Sequence, residues 1–158
     1  MPTLSASATK VQQFLAAKGV DMDVVELPGS TRTAKEAAST LGCAVAQIAK
    51  SLIFKDAVSG LAVLIVASGS NRVDVAKVEA ATGLTLEKAD ADFVRTQTGF
   101  AIGGVPPVAH ANPVITLLDT DLKKYPQLWA AAGTPHAVFP LKAADLSTLT
   151  DGRWLVIA

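Results

Sequence analysis

The chain has 158 residues, half of them apolar and 18% charged, which is enough to bury a core and too few for two ordinary domains, so one domain over residues 1–158 is expected. Fourteen Lys and Arg balance fourteen Asp and Glu, which excludes a protein that grips a long run of phosphate backbone on global charge alone. One cysteine, Cys43, and two histidines exclude an internal disulfide and a structural zinc site. The longest apolar run, Leu61 to Ala67, is far shorter than the roughly 20 residues of a membrane-spanning helix. A reducing cytoplasm, with no membrane partner and no metal, is the expected setting.

In chain order, Ser7 to Lys18 places Val11, Phe14 and Leu15 at helical spacing, with serines to cap its start and Gly19 to stop it. Asp23 to Leu27 reads as a short strand running into the Pro28-Gly29 turn. A second helix starts at Thr33, which with Glu36 has the form of a capping box, and Gly42 stops it. Val45 to Ala49 adds a turn before the alternating strand Lys50 to Asp56, and Val58 to Gly60 reads as a hairpin. Leu61 to Ala67 is apolar on both faces, which predicts a central strand covered on each side.

Asp74 to Ala81 is expected to be helical and closed by Gly83, and Ala91 to Thr96 helical with Asp90 as its cap. Phe100 to Ile102 reads as a short apolar strand, after which Gly103 to Pro107 breaks all periodicity. Val114 to Leu118 is a predicted strand, Leu122 to Ala132 mixed helix ending at Gly133, and His136 to Leu141 and Trp154 to Ile157 two more strands. Hairpins mixed with helical connections predict an α+β fold, a mixed and partly barrel-like sheet flanked by helices.

Two features carry chemistry. Lys50 shares a strand face with Leu52 and Phe54. Either it sits at the strand end and snorkels to water, or it lines a pocket rim, where its ammonium is a point charge for a phosphate or carboxylate. The run Gly103-Gly104-Val105-Pro106-Pro107 joins maximal backbone freedom to maximal restriction. Such a loop is either a plain turn or a device that aims backbone N–H groups at a carbonyl or an anion. It matches neither the P-loop nor the dinucleotide glycine signature. His110, His136 and Cys43 are isolated, Asp119 and Asp121 suit a helix cap, and no nucleophile–base–acid set is readable.

Together with Lys50 and the loop, the stretches Arg32 to Ala38, Gln47 to Phe54, Asn71 to Lys77 and Thr98 to Pro107 resemble, in order and spacing, the YbaK-type aminoacyl-tRNA deacylases. These are free-standing relatives of the editing domain of bacterial prolyl-tRNA synthetases. The resemblance implies that Lys50 anchors the 3′-terminal adenosine. It also implies that the backbone of Gly103, Gly104, Val105 and Pro107 polarises the ester carbonyl. Thr33, Ser51, Pro106, His110, Ala131 and Gly133 are the further substrate-binding candidates. No cofactor is implied; the partners are the CCA end of an aminoacyl-tRNA and a synthetase.

Leu128 to Gly133 holds small apolar residues where relatives carry a serine or another polar group, which leaves selectivity among alanine, serine, threonine and cysteine open. A non-catalytic module that binds an aminoacyl-adenosine-like ligand or a synthetase is the rival function.

Overall fold

The computed structural model describes residues 4–158. Five α-helices and eight strands follow in the order α1 (Ala6–Ala17), β1 (Val25–Glu26), α2 (Ala34–Leu41), β2 (Ile48–Asp56), β3 (Ala62–Ser68), α3 (Val75–Thr82), β4 (Leu86–Lys88), α4 (Ala91–Thr98), β5 (Val114–Asp119), β6 (Leu128–Ala131), β7 (Ala137–Leu141), α5 (Ala143–Thr150) and β8 (Arg153–Leu155). All eight strands form one mixed sheet in the order β1-β7-β6-β2-β3-β5-β8, with β4 paired to β2. The β2–β3 hairpin is antiparallel, whereas β2–β6, β3–β5 and β5–β8 are parallel. This is the mixed α/β architecture expected.

The centre of the sheet is β3, whose residues Ala62 to Ala67 are completely buried. Leu64 and Val66 face the larger core, with Phe139, Leu118, Leu15 and Phe100, while Val63, Ile65 and Ala67 face the smaller one, with Val78, Leu117 and Ile157. A strand buried on both faces needs the unbroken apolar run that the sequence supplies.

Local signals set most helix ends. Thr33 Oγ1 accepts from Glu36 N–H at 3.1 Å, an N-cap bond made, among the described residues, without the return bond to the Glu36 side chain that the expected capping box would add. Asp74 and Asp90 cap α3 and α4, and Gly42, Gly83 and Gly99 stop three helices in the left-handed conformation.

Elsewhere the expectations need correction. Phe100 to Ile102 is not a strand: Phe100 is buried, but Gly104 N–H donates to Ala101 O at 3.1 Å and folds the segment into a turn that leaves Ile102 51% exposed. Leu122 to Ala132 is not mixed helix. A 3₁₀ turn over Thr120–Lys124 gives way to β6 because Pro126 pushes Tyr125 out of the helical region, to φ −115 and ψ 138. Gly133 therefore follows a strand instead of a helix, at φ +98 in the β6–β7 connection. The last strand, Arg153–Leu155, ends before Ile157. β4 and α5 have no counterpart in the sequence reading. α5 lacks a short polar N-cap side chain: its first turn is closed by Asp145 Oδ2, which accepts from Lys142 N–H at 2.8 Å.

Candidate active site

β2 is paired on both edges only at its ends. β6 meets it at Ile48 and Ala49, and β4 meets it from Phe54 to Asp56, so on that side Lys50 to Ile53 has no neighbouring strand. The gap opens into a cleft of about 410 Å³ bounded by the start of α2, β6 and the turn at Gly103. Lys50 and Ser51 both line the cleft, and as adjacent strand residues they carry their side chains on opposite faces of β2.

Of the candidate residues, Thr33, Lys50, Ser51, Gly103, Val105 and Ala131 line this cleft together. Gly104, Pro106, Pro107, His110 and Gly133 do not. Pro107 and His110 border a separate, more open hollow of about 370 Å³ with Phe14, Asn112 and Leu149.

Lys50 takes part in neither of the two ion pairs among the described residues, Lys55–Glu87 and Lys124–Asp121. Burial lowers its pKa from the ordinary lysine value, Arg72 lowers it further, and Asp119 opposes both. That carboxylate is itself buried and fully engaged. Ser68 N–H and Asn71 Nδ2 donate to its Oδ2 at 2.9 and 2.8 Å, and Asp121 N–H donates to its Oδ1 at 2.9 Å. The same bonds fix the turn that carries Arg72.

The loop is short of partners in an ordered way. Gly104 is tied twice, its N–H to Ala101 O and its carbonyl to Gly133 N–H at 2.9 Å, and Pro106 O accepts from His110 Nε2 at 2.7 Å. The two prolines have no N–H. That leaves the amides of Gly103 and Val105, which find no acceptor among the described residues and belong to residues lining the cleft. In a planar trans peptide C=O and N–H point in opposite directions. The bond from Gly133 to Gly104 O therefore also directs Val105 N–H, away from Gly133.

Gly103 is favoured by its backbone conformation and Gly104 is required by space. Gly103 has φ +93, and a Cβ there would meet the Arg32 side chain at 2.7 Å; a Cβ on Gly104 would lie 2.8 Å from the backbone of Thr134.

Thr33 spends its hydroxyl capping α2, and buried Thr31 donates to Pro135 O at 2.9 Å, tying the start of α2 to the turn after β6. Ser51 Oγ is the only buried side-chain polar atom among the described residues without a hydrogen-bond partner. The sequence reading passed over Arg32, an exposed side chain that lines the cleft, lies against Gly103 and takes part in neither ion pair. It also missed Trp129 and Ile102, which supply apolar walls. Arg32 was legible only as part of the matching stretch before the capping box, and Trp129 was hidden by the helix assignment. No Asp, Glu, His or Cys among the described residues lines the cleft. Among the described residues no three His, Cys, Asp or Glu come together as metal ligands, and no helix is long and apolar enough to cross a membrane.

The mixed sheet flanked by helices is the fold the YbaK resemblance implies. A model of the aminoacyl-tRNA editing domain matches residues 29–149, and the chain belongs to that family, in its YbaK-like branch. It is 47% identical, with a TM-score of 0.92 and 98% of both chains covered, to a crystal structure described as a candidate trans-editing enzyme for prolyl-tRNA synthetase. It is 27% identical, with a TM-score of 0.86 over 94% of this chain and 98% of the other, to the hypothetical protein APE2540. The uncharacterized protein YwhH of Bacillus subtilis (strain 168) is 34% identical over 134 residues, 84% of this chain and 85% of that protein.

Proposed function

We propose that the protein is a trans-acting editing esterase that removes a small, wrongly attached amino acid (alanine, cysteine, serine or threonine) from a tRNA, with tRNA(Pro) the first candidate. The observation that carries this reading is the pair of unengaged amides, Gly103 and Val105, on the same cleft as Lys50. In this mechanism Lys50 and Arg32 hold the phosphate of the terminal adenosine, and the ester carbonyl oxygen accepts hydrogen bonds from the two amides. Water adds to the carbonyl carbon and its proton is lost to solvent or to a substrate group. The C–O bond to the ribose breaks, and the ribose oxygen takes up a proton, leaving a free amino acid and an intact tRNA end.

Among the described residues the cleft has no Asp, Glu, His or Cys to act as nucleophile or base; an aminoacyl ester is already activated, so positioning and carbonyl polarisation matter more than a strong protein nucleophile. Carbonyl polarisation by one donor of this kind is worth on the order of 100- to 1000-fold in rate. Ala130 and Ala131 make one wall small, which suits a short side chain. In this reading residues 1–158 act as one domain, in the cytoplasm, beside a synthetase such as the prolyl enzyme.

The test is a deacylation panel of tRNAs charged with alanine, serine, threonine, cysteine and proline, comparing the wild type with Lys50→Ala. Cleavage of at least one small aminoacyl ester, lost in Lys50→Ala, supports editing. Cleavage of cognate Pro-tRNA(Pro), or none above the variant's background, sinks it. Binding of an aminoacyl-adenosine without turnover selects the binding-module reading instead.

A further inference from the structure

The two prolines that leave the loop limit its backbone without fixing the direction of the Pro106 carbonyl to a single value. The ring of Pro106 fixes its φ, and Pro107 after it confines ψ to the extended range, a well some tens of degrees wide within which the Pro106 carbonyl can still swing. His110 narrows that range to one carbonyl direction: its Nε2 lies 2.7 Å from Pro106 O. A carbonyl only accepts, so Nε2 carries the proton and donates. Burial lowers the pKa of this ring, and the bond to Pro106 opposes it. Pro106 is buried and His110 half-buried, and the ring lies on the hollow behind the loop instead of in the cleft with Lys50. Ala109 holds a left-handed conformation, φ +66, as the chain turns back to bring the ring to Pro106.

We propose that His110 is a positioning residue for hydrolysis: from outside the cleft it locks the Pro106 carbonyl and so holds Gly103 and Val105 with their free amides set for the ester oxygen. The role rests on reading those amides as the carbonyl-polarising pair. It differs from the substrate contact that the resemblance implied for this histidine.

Gln, Asn and Leu at position 110 separate the roles. The Gln side-chain amide nitrogen reaches about as far as Nε2, that of Asn reaches only as far as Nδ1, and Leu has no donor. His110→Leu and His110→Asn are expected to lower kcat on the order of 10- to 100-fold, with KM within about twofold, because a misplaced donor weakens the transition state and not ground-state binding. His110→Gln is expected to recover most of the loss. Unchanged kcat in Leu and Asn, a rise in KM instead, or no advantage of Gln over Asn overturns the proposal.

If a variant fails to fold by circular dichroism, ¹⁵N NMR of the wild-type imidazole decides, since a neutral ring protonated at Nδ1 cannot donate to Pro106. If the wild type cleaves no aminoacyl-tRNA, the esterase reading has failed by itself. The amide shifts of Gly103 and Val105 still test the lock, because unchanged shifts in His110→Leu relative to His110→Gln reject it.

Discussion

Lys50 takes its charge state from residues distant in sequence. Loss of water around the ammonium and the Arg72 guanidinium both push its pKa down, and Asp119 pulls against them. The cation is the form that holds a phosphate, so the alkaline limb of binding should fall as pH rises through the depressed lysine pKa, below the range of a free lysine. Removing Arg72 deletes one of the two lowering influences. Arg72→Ala is therefore expected to move the alkaline limb of adenosine monophosphate binding to higher pH, still short of the free-lysine value because the burial remains. A limb that stays put or moves down would show that Arg72 does not act on Lys50. The alternation of β2 places Lys50 with Leu52 and Phe54 in the sequence itself. Its neighbours Arg72 and Asp119 come from the turn after β3 and the end of β5, and no spacing rule links them to it.

At the scale of elements, the segment from Gly99 to Pro113 between α4 and β5 is held by scattered bonds instead of a ladder. It carries one conformational cost, since Ala109 is a non-glycine residue at φ +66. A Cβ in the left-handed region costs about 1–2 kcal/mol, partly offset by the greater freedom of glycine in the unfolded chain. Ala109→Gly is expected to stabilise the fold by about 0.5–1 kcal/mol, read as a higher denaturant midpoint with an unchanged slope. A lower midpoint would mean that the Ala109 methyl packs better than its backbone conformation costs.

Element boundaries were legible where a side chain closes its own backbone, as at Thr33, Asp74 and Asp90, and where glycine must end a helix. They were hidden where long-range pairing decides. β4 exists because Phe54 to Asp56 offer a free edge, and β6 because Ile48 and Ala49 recruit it in parallel beyond Pro126.

For the whole molecule, zero net charge coexists with a cleft whose lining holds two cations, Lys50 and Arg32, and no carboxylate. A tRNA end gripped by two such contacts implies a modest salt dependence, a slope of about −1.4 in log affinity against log salt concentration for single-stranded nucleic acid. Arg32→Ala should shrink its magnitude by about 0.7, measured by binding of a CCA-ended oligonucleotide. A slope several times steeper, insensitive to Arg32, would mean that a surface well beyond the cleft carries the tRNA.

The sequence by itself determined the double-faced apolar strand, the helix caps and stops, the lysine on an otherwise apolar strand face and a glycine-proline loop that no regular element accommodates. These are properties of adjacent residues, written in periodicity and backbone chemistry. Only the tertiary structure decided that β6 leaves β2 just before Lys50 and opens the cleft, and that Arg32 lies across Gly103. It alone left two of the loop's three amides unengaged, because Gly133, Ala101 and His110 take up the other polar groups of Gly104 and Pro106. Which donors remain free depends on which acceptors the rest of the chain brings near, and that is settled by packing between segments tens of residues apart.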